Sequence, residues 1–279
     1  MTRQSAPLEP LLIAAVNRRA LRVHFQPQYE VYCGQGCGVE ALARWTLPDG
    51  EDVSPTVFIP MAERIDMICP LGEWVLEHAC GTVAAWGDFG GHRPRLSVNV
   101  SPHQINEDFC GVIDRIIKLT GLPAGQLELE ITETALIANI ALAVECCERW
   151  RALGVHIAVD DFGTGFSGLH YLARLPVDRL KLDKSFAERI TSEKKTAAIV
   201  RSVLALGEEM GVGVVVEGVE TEGQFALLER WGCRQVQGFL LAKPVPAPEA
   251  RALLMIPWGA RLAPKVRARH AAESGLHAA

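Results

Sequence analysis

Residues Arg179–Asp183 read RLKLD, a short apolar run that ends in a carboxylate. Alternate residues of a strand face opposite sides, so Leu180 and Leu182 point one way while Lys181 and Asp183 point the other. Five further short apolar runs end in an acidic or amide residue and are separated by helix-like stretches: LSVNVS, LELEITE, HIAVDD, VVVEGVE and VQGF. These polar residues, called the marked residues below, are Asn99, Glu130, Asp160, Asp161, Glu217, Glu220 and Gln237. Parallel strands that are buried on both faces, with polar residues at their carboxyl ends, are typical of a (β/α) barrel.

The N-terminal part of the chain predicts a helix followed by a hairpin. Leu8–Arg22 is amphipathic, and VHFQPQYEV and CGVEALARW then read as two strands joined by the glycine-rich turn CGQGC. We therefore predict a TIM-like (β/α)8 barrel with one antiparallel strand that comes from an N-terminal hairpin. Cys33 and Cys37 in the turn are expected to be free thiols, because no second pair follows at zinc spacing.

Further helices are predicted over Pro55–Leu71, Gly72–Trp86 and Glu249–Met255. Ser54 and the following proline suit the start of the first of these helices. We expect a single barrel domain over residues 1–255. The basic, alanine-rich residues 256–279 are expected to form a frayed tail or a junction.

The composition limits the classes of function. The chain has 279 residues, 49% of them apolar, and a formal net charge of −5. This charge argues against binding of a nucleic-acid polymer or an anionic membrane by the whole surface. The sequence contains no apolar stretch of 18 residues and does not start with a signal peptide, so we expect a soluble, cytoplasmic protein or the cytoplasmic part of a larger signalling protein.

The acidic strand ends indicate metal ions. Carboxylates that converge on one barrel mouth repel one another unless cations neutralise them. Hard divalent cations prefer oxygen ligands, which Glu40, Asn99, Glu130 and Asp160 would supply from four strand ends. A single such residue could equally be an ordinary polar residue of the rim.

Seven blocks of sequence, in order, carry a resemblance to a known family. They are FQPQ (Phe25–Gln28), EALARW (Glu40–Trp45), SVNVS (Ser97–Ser101), ELEITET (Glu128–Thr134), DDFGTGFSGLHYLARLPVDRLKLDKSF (Asp160–Phe186), VEGVET (Val216–Thr221) and QGFLLAKP (Gln237–Pro244). The chain resembles the EAL-domain family of cyclic di-GMP phosphodiesterases from about Leu8 to Pro248. This resemblance implies hydrolysis of cyclic di-GMP to linear pGpG.

The resemblance also implies a cofactor and the residues that bind it. Two Mg²⁺ or Mn²⁺ ions about 3.5–4 Å apart would activate a shared water and clamp the phosphodiester. Their implied ligands are Glu40, Asn99, Glu130 and Asp160 at the first site, with Asp160 as a bridge and with Asp161 and Glu217 at the second. Glu217 is expected to be a ligand, with general base as the alternative.

Other family positions imply catalytic and substrate contacts. Lys181 is expected to contact the nucleophilic water and the developing negative charge, and an ion pair with Asp183 is compatible with this role. Asp183 is expected to orient Lys181 or the water, or to touch the substrate. The expected substrate contacts are Gln26, Leu42, Arg44, Glu220, Gln237 and Phe239, of which Phe239 could instead be ordinary core.

The glycine-rich segment after Asp161 has a separate expected role. In the family this loop couples dimerisation to metal binding, and Glu133 is the expected anchor of the loop. We therefore expect a homodimer formed through the region Asp161–Leu175, including a helix over Leu169–Leu175. The alternative functions are a catalytically silent cyclic di-GMP receptor and another metal-assisted barrel hydrolase.

Overall fold

A closed ring of eight strands forms the centre of the molecule in the computed structural model, which describes residues 7–89, 92–164 and 172–260. The strands are β1 (Arg22–Glu30), β2 (Gly36–Thr46), β3 (Asp52–Val53), β4 (Arg95–Asn99), β5 (Leu127–Thr132), β6 (His156–Phe162), β7 (Arg179–Leu182), β8 (Gly213–Val216) and β9 (Gln235–Val236). The ring runs β1-β9-β8-β7-β6-β5-β4-β2 and closes through the β1–β2 pair, while β3 extends β2 outside the ring.

Strand β1 is antiparallel to both of its neighbours, β2 and β9. The other neighbouring strands of the ring are parallel: β2–β4, β4–β5, β5–β6, β6–β7, β7–β8 and β8–β9. The predicted TIM-like barrel with one antiparallel strand is therefore confirmed. The reversal follows from the short turn between β1 and β2, because a tight hairpin joins only antiparallel strands.

Helices cover the outside of the ring. They are α1 (Leu8–Asn17), α2 (Pro55–Arg64), α3 (Ile68–Trp86), α4 (Glu107–Thr120), α5 (Glu133–Ala138), α6 (Ile140–Ala152), α7 (Lys184–Arg189), α8 (Lys194–Met210), α9 (Glu222–Arg230) and α10 (Ala247–Leu254). Outward-facing strand residues such as Leu180 and Leu182 are fully buried in the hydrophobic core. None of the helices within the described ranges is long and apolar enough to cross a membrane.

Two predicted helix boundaries were wrong. Helix α1 ends at Asn17 rather than Arg22, because the chain turns at Arg19, which has a φ of 52°, and then enters β1. The predicted helix Pro55–Leu71 is also interrupted, because α2 ends at Arg64 and the next residue but one, Asp66, has a φ of 56°. Helix α3 then starts at Ile68, upstream of the predicted start at Gly72. Pro70 fits this earlier start, because the N–H groups of a first helical turn have no partner within the helix.

The C-terminal part of the described chain packs against the barrel. The backbone N–H of Trp258 donates to the carbonyl of Gly34 over 2.9 Å. The indole ring of Trp258 packs edge-on against Phe225, with the ring centres 4.5 Å apart. The predicted boundary at residue 255 stays a prediction. Residues 261–279 of the expected tail, and most of the expected helix Leu169–Leu175, lie outside the described residues.

Many inward-facing side chains of the barrel are polar, and these lie in two layers. The upper cluster comprises Glu40, Glu130, Asp160, Lys181 and Glu217, near the carboxyl ends of the parallel strands. The lower cluster comprises Arg95, Glu128 and Arg179, toward the opposite end. The two layers follow from the period of a strand, in which residues two apart share a face. Glu128 and Glu130 form such a pair on β5. Arg179 and Lys181 form such a pair on β7.

Candidate active site

The ammonium group of Lys181 lies at the centre of the upper cluster. Its Nζ is 2.7 Å from Glu130, 2.7 Å from Glu217, 3.2 Å from Asp160 and 3.7 Å from Glu40. The Lys181 side chain is 1% exposed. One cation is thus shared by four carboxylates that come from four strands, which leaves the cluster with an excess of negative charge.

This crowding changes the protonation of the cluster. Burial alone lowers the pKa of Lys181, but Asp160, Glu130, Glu217 and Glu40 together raise the pKa well above its usual value. The lysine is therefore charged at neutral pH. Burial raises the pKa of Glu130 well above its usual value, and the neighbouring carboxylates Glu40, Asp160 and Glu217 add to this effect against the opposing Lys181 ammonium.

The other two glutamates differ in their surroundings. Burial raises the pKa of Glu217 to about 8, assisted by Asp160 and Glu40 and opposed by Lys181. Burial also acts to raise the pKa of Glu40, but Lys181 and hydrogen bonds from Gln237 and Asn99 lower the pKa overall. Glu40 is therefore the best-stabilised anion of these glutamates, whereas Glu217 titrates close to neutral pH.

A chain of amides fixes Glu40. Asn99 Nδ2 donates to Glu40 Oε1 over 2.8 Å, and Gln237 Nε2 donates to Glu40 Oε2 over 2.7 Å. Gln237 Nε2 also lies 3.0 Å from Gln26 Oε1, and Gln28 Nε2 donates to Gln237 Oε1 over 2.9 Å. These bonds join β1, β2, β4 and the residue after β9, so the orientation of Glu40 depends on the closed ring.

A local irregularity of β6 brings Asp161 to the mouth. Adjacent strand residues normally face opposite sides, but the register of β6 against β7 shifts between Val159 and Phe162, and Asp161 has a φ of 53°. Asp161 consequently lines the same cavity as Asn99. Burial raises its pKa, and the charges of Asp160 and Asp183 add to this shift. A non-glycine residue in this conformation is strained, and such strain is common at functional sites.

Two predicted residues accept hydrogen bonds from backbone N–H groups beside the site. Asp183 caps α7, with its Oδ1 accepting from the Ser185 N–H over 3.0 Å. Glu133 Oε2 accepts from the Gly163 N–H over 3.0 Å, which ties the start of the glycine-rich segment to α5. Gly163 has a φ of 94°, and an added Cβ would lie 2.7 Å from the ring of Phe186, so only glycine fits there.

A cavity of about 500 Å³ lies beside the upper cluster, between the strand ends and helices α2 and α3. Leu42, Arg44, Asn99 and Asp161 contribute to its lining. Arg44 is half-buried, and its Nη1 donates to the carbonyl of Ala43. Among the described residues its guanidinium has no other hydrogen-bond acceptor, so much of the planar fork is free to bind a ligand. The size and the mainly apolar walls suit a planar organic group beside a charged one.

The remaining predicted contacts lie at different depths. Gln26 and Gln237 are buried in the amide chain, as described above. Phe239 is 53% exposed and stacks with Lys243, whose Nζ is 5.4 Å from the ring centre. The core interpretation of Phe239 is therefore wrong. Glu220 is exposed on the loop after β8, where its backbone N–H bonds to Gln224.

Sequence reasoning missed three residues near this site. Gln28 lies two residues after Gln26 on the same strand face, so the period of the strand could have identified it. Glu63 lines the cavity and accepts from the Ser101 hydroxyl over 2.8 Å, which holds the loop after β4. Gln104 completes that loop by accepting from the Ser101 N–H. The pairing of Glu63 with Ser101 has no signal in the sequence, since it joins separate elements.

The chemistry of the upper cluster suits cations. Within the described ranges, no three His, Cys, Asp or Glu side chains are arranged around a common point as a metal shell, because the carboxylates surround Lys181 instead. Glu130 Oε1 is nevertheless buried without a hydrogen-bond partner, and Asp160 Oδ1 and Glu217 Oε1 make only ion-pair contacts. Hard oxygen donors in this state fit divalent cations.

The fold and the site place this chain in the class of TIM-like (β/α)8 barrel proteins that have an acidic site at the mouth of the barrel. A family model described as "EAL domain" matches residues 12–244. The chain belongs to this family, and the predicted family membership is confirmed.

Relatives with informative names include two proteins of Pseudomonas aeruginosa. The chain is 40% identical over 239 residues to the bifunctional diguanylate cyclase/cyclic di-GMP phosphodiesterase MucR, covering 84% of this chain and 34% of MucR. It is 40% identical over 223 residues to the cyclic di-GMP phosphodiesterase PA2567, covering 79% of this chain and 38% of that protein. The chain thus spans about a third of the length of the curated relatives it matches.

A solved structure shares the fold over almost its whole length. The PaMucR phosphodiesterase in complex with c-di-GMP superposes with a TM-score of 0.82 and is 37% identical in sequence. The match covers 87% of this chain and 99% of that one.

Proposed function

We propose that this chain is a cyclic di-GMP phosphodiesterase that opens its substrate to linear pGpG. The observation that carries the proposal is the convergence of Glu40, Glu130, Asp160 and Glu217 on Lys181 at the mouth of an EAL-domain barrel. In the reaction, a water oxygen forms a new bond to phosphorus. The bond from phosphorus to the ribose 3′-oxygen breaks, and that oxygen receives a proton.

Two divalent cations, Mg²⁺ or Mn²⁺, belong to the proposal. Glu40, Asn99, Glu130 and Asp160 would hold the first, and Asp161 and Glu217 would hold the second together with Asp160. When bound, such ions lower the pKa of a water and neutralise charge on the phosphodiester. The buried Glu130 Oε1, which receives no hydrogen bond from the described residues, supports this assignment.

Lys181 supplies the fixed positive charge in this proposal. Its raised pKa keeps the ammonium protonated, so it acts as an electrostatic stabiliser of negative charge on the phosphoryl oxygens rather than as a base. Glu217, whose pKa of about 8 lies near neutrality, acts first as a ligand and is the candidate proton acceptor if the water requires one. Asp183 accepts from the Ser185 N–H at the start of α7 and is assigned the orientation of Lys181 or of the water, or a contact with the substrate.

The cavity beside the cluster is the proposed substrate pocket. Arg44 is placed to pair its planar fork with a phosphate or a guanine edge, and Leu42 forms part of the apolar wall. Phe239 offers an exposed ring on which a second guanine could stack. Gln26, Glu220 and Gln237 complete the proposed contacts, with both glutamines first of all holding Glu40 in place.

The homodimer and the cytoplasmic location stay predictions. The Glu133–Gly163 hydrogen bond supports a role for the loop after β6 in communication with the site, because Glu133 follows β5, which carries Glu130. A sedimentation measurement on the chain with and without Mn²⁺ would test for a dimer.

Hydrolysis of cyclic di-GMP by the purified chain tests the proposal, with Mg²⁺, Mn²⁺ or EDTA present and pGpG resolved by chromatography. We expect pGpG at steady turnover with either metal and none with EDTA. Tight binding of cyclic di-GMP without product under all conditions would instead establish the silent receptor. Neither binding nor product would exclude both functions.

A further inference from the structure

The barrel has a second cavity, of about 700 Å³, at the end opposite the upper cluster. Its lining includes Arg95 and Arg179 of the lower cluster together with His156, Asp178 and Arg234. The β1–β2 turn contributes Tyr32, which is 98% exposed at the rim. The proposed phosphodiesterase reaction uses none of these residues.

Two guanidinium groups in this cavity share one carboxylate. Arg95 Nη1 donates to Glu128 Oε2 over 3.1 Å, and Arg179 Nε lies 3.5 Å from the same oxygen. The other oxygen of Glu128 accepts from the Ser97 hydroxyl over 2.8 Å. Both carboxylate oxygens are therefore engaged, and the lower cluster carries an excess of positive charge.

Arg179 is the informative member of the cluster. It is 7% exposed, yet none of the described residues accepts a hydrogen bond from its guanidinium under the usual geometric limits. Arginine keeps its charge in proteins, and the ion pair with Glu128 involves only Nε of Arg179, so its other N–H groups are available to a ligand in the cavity that Arg179 lines. The planar fork of such a group matches an oxyanion that enters from the cavity.

Glycines lie beside both arginines. A Cβ at Gly213 would lie 3.1 Å from Cγ of Arg179, whereas a Cβ at Gly38 would first meet the backbone carbonyl of Arg95 and Oε1 of Gln28, each at 3.0 Å. The lining also holds three carboxylates, those of Glu30, Asp178 and Glu229. Asp178 is engaged by Arg151 and His156, whereas Glu30 and Glu229 are exposed at the rim.

We propose that this lower cavity binds a small molecule through an oxyanion, either a phosphate or a carboxylate group, held by Arg179 and Arg95. The site is separate from the catalytic mouth, where the excess charge is negative and repels anions when no metal is bound. Arg234 lies at the rim of this cavity and pairs with Glu208 over 3.8 Å.

Calorimetric titration of the EDTA-treated chain tests the site, with inorganic phosphate in one arm and citrate in the other. We expect saturable binding of at least one anion, weakened about tenfold or more in Arg179→Gln, since hydrogen bonds to charged groups are the strong ones. Arg115→Gln is the matched control, because Arg115 is an exposed arginine of α4 that pairs with Glu73. The arm that saturates identifies the chemistry of the ligand.

Glu128→Gln keeps the proposal testable if Arg179→Gln does not fold. This change removes the competing charge and leaves both arginines in place, so it should tighten binding of the anion. Unchanged or weaker binding in Glu128→Gln would overturn the proposal. Absence of saturable binding in the wild type, or equal effects of Arg179→Gln and Arg115→Gln, would overturn it as well.

Discussion

Oε1 of Glu217, the residue that follows β8, lies 2.7 Å from the ammonium of Lys181, on the neighbouring strand β7. Glu217 has a pKa of about 8 and therefore titrates near neutral pH, whereas Lys181 keeps its positive charge. Metal binding at Glu217 must compete with both a proton and this ammonium. The pair therefore determines how the site responds to pH and to cations.

Metal-free protein should become less stable as pH rises from about 4.5 to about 8 because of Glu217. The folded state keeps a proton that the unfolded state has already lost in this range, so unfolding becomes more favourable with increasing pH. Glu217→Gln should reduce this slope. Thermal unfolding in EDTA between about pH 4.5 and pH 8 measures how stability depends on pH, with Glu63→Gln as the control. The same pH dependence in Glu217→Gln as in the wild type would contradict the account.

Glu40→Gln should weaken Mn²⁺ binding by about tenfold or more, because metal affinity depends on both the ligands and the groups that orient them. The change removes a charge and also places an amide opposite the donors Asn99 and Gln237. Calorimetric titration with Mn²⁺ provides the measurement. Glu63→Gln, a change of the same type beside the same cavity, should bind as the wild type does, and equal affinities in all three proteins would argue against Glu40 as a ligand.

Gly163→Ala should destabilise the fold by about 1–3 kcal/mol, the usual range for a strained backbone position. The added methyl group meets Phe186, and the left-handed backbone at φ 94° disfavours any side chain. Urea unfolding gives the difference in the free energy of unfolding. Gly125→Ala is the matched control, since its Cβ meets nothing within 4 Å, and equal stabilities of the two variants would refute the steric argument.

Arg44→Lys should raise KM for cyclic di-GMP by about tenfold with a smaller effect on kcat, because a lysine cannot reproduce the planar fork. Arg44 lines the cavity beside the cluster. Steady-state kinetics separate the two constants. Arg64→Lys is the control, as Arg64 is exposed and pairs with Glu9, and an unaltered KM in Arg44→Lys would remove Arg44 from the substrate site.

The alternation of polar and apolar residues was sufficient to predict the barrel and the inward direction of Lys181. Strand β7 is short, and its two faces have different neighbours, so a period of two can be read directly from RLKLD. The antiparallel β1 followed equally from the glycine-rich turn. Helix ends were harder to predict, because single residues in left-handed conformations, Arg19 and Asp66, decide them.

The detailed geometry of the site depends on the register between strands. A regular strand would place Asp160 and Asp161 on opposite faces, and the irregularity of β6 against β7 brings Asp161 to the mouth. The contact of Lys181 with four carboxylates likewise requires strands that are far apart in sequence. The lower cluster was missed because Arg95 and Arg179 lie at the beginning of their strands, opposite the ends that carry the marked residues.

Turnover of cyclic di-GMP by Lys181→Met, compared with the wild type in saturating Mn²⁺, tests the central claim most directly. The account predicts a loss of at least about 100-fold in kcat, because the fixed charge that stabilises the reacting phosphoryl group is gone. Calorimetry should show that cyclic di-GMP still binds, and circular dichroism that the variant is folded. Turnover near the wild-type rate in a folded Lys181→Met variant would contradict the account.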